Sequence, residues 1–515
     1  MEGTVELPLE VLTMRSASLW ILVAALVSAC GPQPHSWPEP DAWGPLSGPG
    51  GPTRSFGEGE LWSHCSYLDG GEEDYDHHNF VTMHDGYLIL PWAPEHSHGG
   101  ISLFEFDDPC APVKVGETFN TGIRESHNMG FARIDGRTYV AVNHHGGLYE
   151  DEIVGGLQIW DLTDPAAPTH ISDLRLPGYL YPDAYARVTL SVFWQGTTIY
   201  VAGADNGVWI VDASDPAAPI LSSQHIFTPP LRVGAVHAVG NLAMVSTAEG
   251  ARTLLLDISE PETLDLLPGG EFLVSDREGI QRDYYFANIG GRYGLFARKE
   301  SGGGFIAYDL SEPTFPVFAG DFHNADGNGG YVFRHQDHLF VGDSNFASVF
   351  DATDIAAAVE VGRGQLEGDL DTVTPVGNVM VLAVDKGAEP GQASAVVPYL
   401  EEPDVRGPRV ELHSPADGDI FQGTGTRIGL SFDEMVDFAS VFEGSFRVAD
   451  ASGQAVPGLF TGQENIVNFS PEERLQDDTT YVVTIPAGGI VDFNGNPTED
   501  ELTFRFSTGA EVEVP

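Results

Sequence analysis

Lysine is almost missing from this chain: Lys114, Lys299 and Lys386 are the only three in 515 residues. Arginine adds little, so 24 basic residues stand against 76 acidic ones and the formal net charge is −52. Nucleic acid is thereby excluded as the main partner, because gripping a phosphate backbone takes basic patches. Common enzyme signatures are missing as well. There is no Gly-x-Ser-x-Gly elbow, His-Glu-x-x-His helix, Gly-x-x-x-x-Gly-Lys-Ser/Thr loop or Cys-x-x-Cys pair. The apolar run near the N-terminus, LWILVAALV at 19–27, is too short to span a bilayer. Disorder is excluded by what is present: 42% of the residues are hydrophobic, and they alternate with a period of two, which builds cores.

That short run reads as the centre of an export signal, with Met14-Arg15 as its positive start and Val27-Ser28-Ala29-Cys30 as its end. Glu2, Glu6 and Glu10 stand ahead of the arginine, which is wrong for such a start, so the natural start is read as Met14. The last four residues resemble the lipobox of bacterial lipoproteins, which implies a diacylglyceryl group on Cys30. The other reading is an ordinary signal with an incidental cysteine. Residues 1–29 are then the signal. Residues 30–57 are a tether, with seven Pro and five Gly between 31 and 56. At about 3.1 Å per residue it could reach roughly 80 Å. The expected location is the bacterial cell envelope, lipid-anchored, at the outer membrane or cell surface, with the membrane as a partner through the anchor.

Past the tether the chain repeats. β-branched and aromatic strands run into Asp/Glu-x-x-Asp/Glu, usually followed by Pro: LQIWDLTDPAAP (157–168), VWIVDASDPAAP (208–219), ISLFEFDDPCAP (101–112), TLLLDISEP (253–261), FIAYDLSEP (305–313) and SVFDATD (348–354), with a decayed seventh in SAVVPYLEEP (394–403). The second acidic position falls at 108, 164, 215, 260, 312, 354 and 402. Such spacing, with several strands per unit, is the mark of a β-propeller. In the second unit, 128–136, 137–144, 156–162 and 169–176 read as four successive strands. Seven units imply seven blades. The last lacks an outer strand after Pro403, and ELWSHCSYL (60–68) could supply it, closing the ring and leaving no sheet edge exposed.

The Val-x-Ile-Val-Asp-x-Ser-Asp-Pro-x-x-Pro pattern resembles the LVIVD repeat, a propeller unit of bacterial and archaeal surface proteins. The likeness covers roughly residues 60–405 and implies a surface-exposed propeller, with no agreed catalytic residues to carry over. From about Pro408 the period stops, and about seven short strands with frequent turns read as a β-sandwich. The run SFDEMVDFASV, TYVVTIPAGGIVDFNGNP and FRFST resembles the bacterial Ig-like domains of surface proteins, which implies a spacer or adhesion module. The expected fold is all-β: a seven-bladed β-propeller over 58–405 followed by an Ig-like β-sandwich over 408–510.

With Cys30 lipidated, Cys65 and Cys110 remain, and in an oxidising compartment the expectation is a disulfide, with two buried thiols as the other reading. Histidines cluster: nine of 17 lie between 64 and 145. In an up-and-down blade the lead-in to the inner strand and the loop joining the second and third strands share one face. His77, His78, His96, His98, His127, His144 and His145 should therefore gather at one mouth of the channel, with His84 at the other end. Asp205, Glu249, Glu300, Asp343 and Asp385 should ring the first mouth. Imidazoles with carboxylates could hold a divalent transition metal, with His78, His96, His98, His127, His144 and His145 as candidate ligands; a hydrated funnel is the plainer reading. Asp492-x-Asn494-x-Asn496 and Asn324-x-Asp326-x-Asn328 have the alternating oxygens of a calcium loop, but neither has Glu at the twelfth position, so a turn is expected. The function expected is a cell-surface lipoprotein whose propeller is a binding scaffold for a protein or glycan. The alternative is metal binding, or a metal-dependent enzyme, at the histidine mouth.

Overall fold

The computed structural model describes residues 35–38, 50–68, 80–92, 99–120, 122–123, 126–144, 155–179, 191–260, 262–299 and 301–513. Among these there is no α-helix. Seven four-stranded antiparallel meanders follow one another. Blade 1 consists of Thr82–His84, Tyr87–Trp92, Gly100–Glu105 and Val113–Glu117; blade 2 of Gly130–Ile134, Arg137–His144, Gly156–Asp161 and Thr169–Arg175; blade 3 of Ser191–Gln195, Thr198–Ala202, Val208–Asp212 and Ile220–His225. Blades 4, 5 and 6 occupy 233–273, 284–324 and 332–364. The first three strands of blade 7 are Thr372–Val376, Val379–Ala383 and Ser394–Pro398. The fold class is thus all-β, a β-propeller followed by an Ig-like sandwich.

Within a blade, burial follows strand position. In blade 3 the first two strands are buried at every residue, whereas Ile220–His225 alternates between exposed and half-buried. An inner strand is covered by neighbouring blades on both faces, so it reads as a continuous apolar run; the outermost strand meets water.

The repeated acidic pair has a local task. The first aspartate accepts the N–H two residues ahead: Thr163 N to Asp161 at 2.8 Å, Ser214 N to Asp212 at 2.9 Å, Ser259 N to Asp257 at 2.8 Å, Ser311 N to Asp309 at 2.9 Å and Thr353 N to Asp351 at 3.0 Å. The second aspartate does the same for Ala166, Ala217 and Ala356. Two successive Asx turns reverse the chain between the third and fourth strands. A register shift sits at the same place in each of blades 1 to 6.

The outermost strand of blade 7 comes from the other end of the chain. Ser66–Leu68 pairs antiparallel with 394–396. Cys65, just before it, is bridged to Cys110 in the third-to-fourth strand turn of blade 1, with Cα atoms 4.9 Å apart. Ser66 Oγ donates to Pro109 O at 2.6 Å beside that bridge.

The sandwich has one sheet of Val410–Ser414, Ile428–Phe432, Ile466–Pro471 and Gly458–Gln463, and a second of Arg447–Asp450, Thr480–Ile485 and Leu502–Ser507. Leu430, Phe432, Val467, Phe469, Val483, Phe504 and Phe506 fill the space between them. The first sheet joins the propeller, since Thr461 pairs with Ala132 of blade 2.

Part of the expected tether also packs. Phe56 is buried and its N–H reaches Glu401 O at 2.7 Å, Asn378 Nδ2 donates to Arg54 O at 2.9 Å, and Gly51 N meets Phe493 O. Further upstream, Trp37 lies under the Arg447 guanidinium at 5.9 Å. These segments run along blade 7 and the sandwich, so less chain is left to span a distance than the composition of residues 30–57 implies.

Candidate functional site

The propeller has two ends. The lower end carries the turns between first and second strands and between third and fourth; the upper end carries the lead-ins to the inner strands and the second-to-third strand loops.

The sandwich closes the lower end. Gly240 of blade 4 lies against Gly429, where a β-carbon on Gly429 would collide with the Gly240 backbone. Arg427 is 6% exposed and donates to Gln195 Oε1 and Tyr200 Oη, both at 2.9 Å, to Thr198 Oγ1 at 3.2 Å and to Ile258 O at 3.4 Å. Asn468 bridges Gly240 N at 2.7 Å and Ala238 O at 2.9 Å. Arg334 of blade 6 holds Glu411 with both terminal nitrogens, at 2.6 and 2.9 Å. His84 of blade 1 stacks between Phe131 and Phe438, which places it at this end, opposite the lead-in residue His127. Burial drives the His84 pKa down to about 4, against the pull of Asp85.

From the same side, the turn Gln463-Glu464-Asn465 enters the axial channel. Glu464 accepts from Asn288 Nδ2 at 2.9 Å, Asn465 Nδ2 donates to Ile289 O at 2.9 Å, and Gln463 meets Asn128. Burial pushes the Glu464 carboxyl up to about 7. Phe80, His127, His237, Phe286, Tyr331 and Phe333 line the rest of the channel, and the void left among them is about 10 Å³. That is room for at most one water. Among the described residues the channel is a packed core and not a ligand cavity.

His127 belongs to that packing. Its ring stacks on Phe286, and Nδ1 lies 2.9 Å from the Tyr331 hydroxyl, which also donates to His127 O at 3.1 Å. His78, His96, His98 and His145 lie outside the described residues, as do His77 and Cys30, and of His144 only the backbone is described. The channel holds a second histidine that sequence reasoning missed. His237 sits mid-strand in VGAVHAV, where an apolar residue would pass unnoticed, and burial lowers its pKa to about 4. Alternation would have found it, because His237 shares a face with Ala235 and Val239.

Two groups of potential ligands come together elsewhere. At the lower interface the His335 ring lies between Asp404, 3.2 Å from Nε2, and Glu434, 3.5 Å from Nδ1. Asp404, held by His335, Gln336 and the Arg406 N–H, stays down at about 2 despite its burial. At the upper end Asp369, Asp371 and Asp385 place one oxygen each within 4.8 Å of the others. Of the acids expected around this mouth, Asp343 turns inward instead. It accepts from Gly304 N and Ser348 Oγ, both at 2.9 Å, and burial raises it to about 6. Asp205 pairs with Arg232 and Glu249 with Lys299. The calcium-loop patterns are turns. Asp492 Oδ1 takes the N–H groups of Asn494 and Asn496, both at 2.8 Å, and Asn324 points into blade 6 toward Asp343 and Ser348.

Among the described residues, a cleft of about 470 Å³ opens on the upper end at blade 5, between the 276–282 loop and the outer strand, lined by Asp276, Arg277, Glu278, Arg282, Arg298, Ser301, Asp321, Phe322 and His323.

Residues 404–508 match the bacterial Ig-like domain family, and residues 187–225 match the LVIVD repeat. No curated protein matches the sequence. Similar solved structures include the periplasmic gluconolactonase PpgL of Pseudomonas aeruginosa (10% identity, 61% of this chain and 85% of that one, TM-score 0.46). Others are the β-propeller domain of Cps50 (Swd1) from Myceliophteria thermophila (11%, 65% and 98%, 0.47) and BamB from Moraxella catarrhalis (11%, 64% and 96%, 0.39).

Proposed function

We propose that this protein is a binding scaffold of the bacterial cell envelope, anchored through a lipidated Cys30, and that the upper propeller face is the surface that takes a protein or glycan partner. The carrying observation is the asymmetry of the propeller. The lower end is covered by the sandwich and the described part of the channel is filled by Glu464 and its neighbours, which leaves the described loops of the upper end, the blade 5 cleft among them, as the accessible surface. Loops on a rigid scaffold are where binding residues concentrate. The path of the N-terminal segment supports the orientation. Residues 50–56 and Trp37 pack against the sandwich side, so an anchor at Cys30 leaves from that side and the upper face points away from the membrane.

The test is a photo-crosslinking amino acid placed at Glu278 on the upper face, at Val361 on the outer edge of blade 6 and at Phe421 on the sandwich, all three exposed. In the producing cell, a discrete adduct should form from position 278 and not from 361 or 421. Equal labelling from all three, or labelling from 421 alone, would sink the reading. For the anchor, Cys30→Ala should move the protein from the membrane fraction to the soluble one.

A further inference from the structure

The blade 5 cleft contains three arginines in a chain that has few, and they are not equivalent. Arg282 Nε binds Asp276 at 2.6 Å, and Asp276 is further fixed by the N–H groups of Glu278 and Ile280. Arg277 Nε binds Asp321 at 2.6 Å and its Nη2 donates to Asp321 O at 2.6 Å. Arg298, at the end of the second strand of blade 5, is only 4% exposed, and its Nε has no hydrogen-bond partner among the described residues. The two buried carboxylates in reach are already committed to the other two arginines. A buried guanidinium nitrogen without an acceptor is costly, since a charge is tolerated in a protein interior when paired and hydrogen-bonded. Burial and the neighbouring Arg282 also lower its pKa, and it remains charged at any physiological pH.

We infer that Arg298 is the anion subsite of this cleft and that it takes the single carboxylate of a small, hydroxyl-rich ligand, a sugar acid in chemical class. The planar fork of a guanidinium matches a carboxylate with two parallel hydrogen bonds. Among the described arginines of the cleft Arg298 alone is not bridged to a carboxylate, which sets the ligand charge at minus one, because Asp276, Glu278 and Asp321 beside it repel a more highly charged anion. The exposed Glu278, Ser301 and His323, the last with Nε2 already 2.8 Å from Ser301 O, supply acceptors and donors for hydroxyl groups, and the half-buried Phe322 offers an apolar wall. The volume of about 470 Å³ lies in the range of pockets for small molecules. This inference rests on the upper face being the binding face.

The experiment measures thermal unfolding of the protein and its Arg298→Met variant in sodium chloride, formate, acetate, D-glucuronate and sulfate at equal ionic strength. Carboxylates should raise the wild-type melting temperature saturably, D-glucuronate more than acetate, and should have no saturable effect on Arg298→Met. In chloride the variant should melt above the wild type, because an unpaired buried charge has gone. A variant that melts lower would make Arg298 a structural residue and overturn the proposal. So would an equal carboxylate effect on both proteins, or sulfate outdoing D-glucuronate. Should the variant fail to fold, saturation transfer on the wild type decides. Signal should pass to D-glucuronate, be displaced by formate, and be absent with D-glucose; no transfer to D-glucuronate overturns the proposal. Cross-linking at position 278 that persists when the carboxylate effect is absent would sink the subsite alone and leave the upper-face reading standing.

Discussion

The two ends of this propeller are made from the same repeats, yet one is a buried interface with a second domain and the other a set of loops. At the lower end turns of two to a few residues leave little room, and the chain uses glycine, asparagine and buried arginine to bring a second domain into contact: Gly240 against Gly429, Asn241 donating to Thr426, Arg427 among four acceptors. At the upper end exposed charged side chains pair within the loops, as Asp205 with Arg232 and Glu249 with Lys299, while the blade 5 cleft gathers several charges in one place. One repeat therefore serves both purposes, because strand cores set the ring while the loops are free to differ. The contacts that hold the two domains together thus lie at one end of the blades, and the recognition proposed for this protein would fall to the other.

The largest expected effect tests the sealed end. Arg427→Ala leaves Gln195, Tyr200, Thr198 and Ile258 O without their donor in a buried interface. Hydrogen bonds to charged groups contribute about 1.5–3 kcal/mol each and are not additive, so a loss of about 3–5 kcal/mol is expected. Urea unfolding should show it, with new proteolytic cleavage near 405 as the sandwich separates. A loss below about 1 kcal/mol would mean that the lower end is merely covered and not locked.

Ring closure comes next. Cys65–Cys110 encloses a sequence separation of 45 residues, and in the chain-entropy model such a bridge contributes about 4 kcal/mol, with about 2–4 typical. Cys110→Ser should lower the melting temperature by that measure while leaving the sandwich docked. If the variant loses the docking as well, closure and sealing are one cooperative unit.

The third test uses the carboxyl in the channel. Glu464 ionises near 4.5 when unfolded and near 7 when folded. Its folded form holds the proton more tightly, so its favourable contribution is complete below about 4.5 and is lost as pH rises through 7. Glu464→Gln should therefore be the more stable protein at pH 8, by up to about 3 kcal/mol, with the gap closing toward pH 4.5. His84 and His237 work in the opposite sense. Depressed from 6.5 to about 4, they stabilise the fold above 6.5 and cease to as pH falls through 4. Denaturant titrations of both proteins from pH 4 to pH 8 check this; an unchanged difference across that range would mean that Glu464 is solvated.

Legibility differed between the ends for a physical reason. Strand periodicity and the acidic turn residues are written locally, so the ring, the closing role of 60–68, the Cys65–Cys110 pair and the sandwich could be read from the sequence. Docking of the sandwich under the propeller could not, because it depends on contacts such as Gln195 to Asn468, 273 residues apart, whose residue types are ordinary. His127 was singled out for metal chemistry by its neighbours in sequence, whereas its position is set by Phe286 and Tyr331 from blades 5 and 6. Asp343 was placed at the mouth by loop counting, but Gly304 N and Ser348 draw it inward. Arg298 carried no motif at all; only the prior pairing of Arg277 and Arg282 makes it distinctive.

The smallest expected effect is at the open end, and it sharpens the comparison by its size. Asp205 and Glu249 are exposed, and their partners Arg232 and Lys299 lie 3.4 and 3.2 Å away. Such pairs gain little in water, and salt screens them within about 10 Å at 0.1 M. The surroundings are acidic as well, so removing one carboxylate also relieves repulsion in a chain of net charge −52. Asp205→Asn and Glu249→Gln should each shift stability by less than about 0.5 kcal/mol in either direction, and 0.5 M salt should shrink even that. A loss above about 1 kcal/mol from either substitution would tie the upper loops into the structural core. The division between a locked end and a free one would then fail at the face that needs to be free.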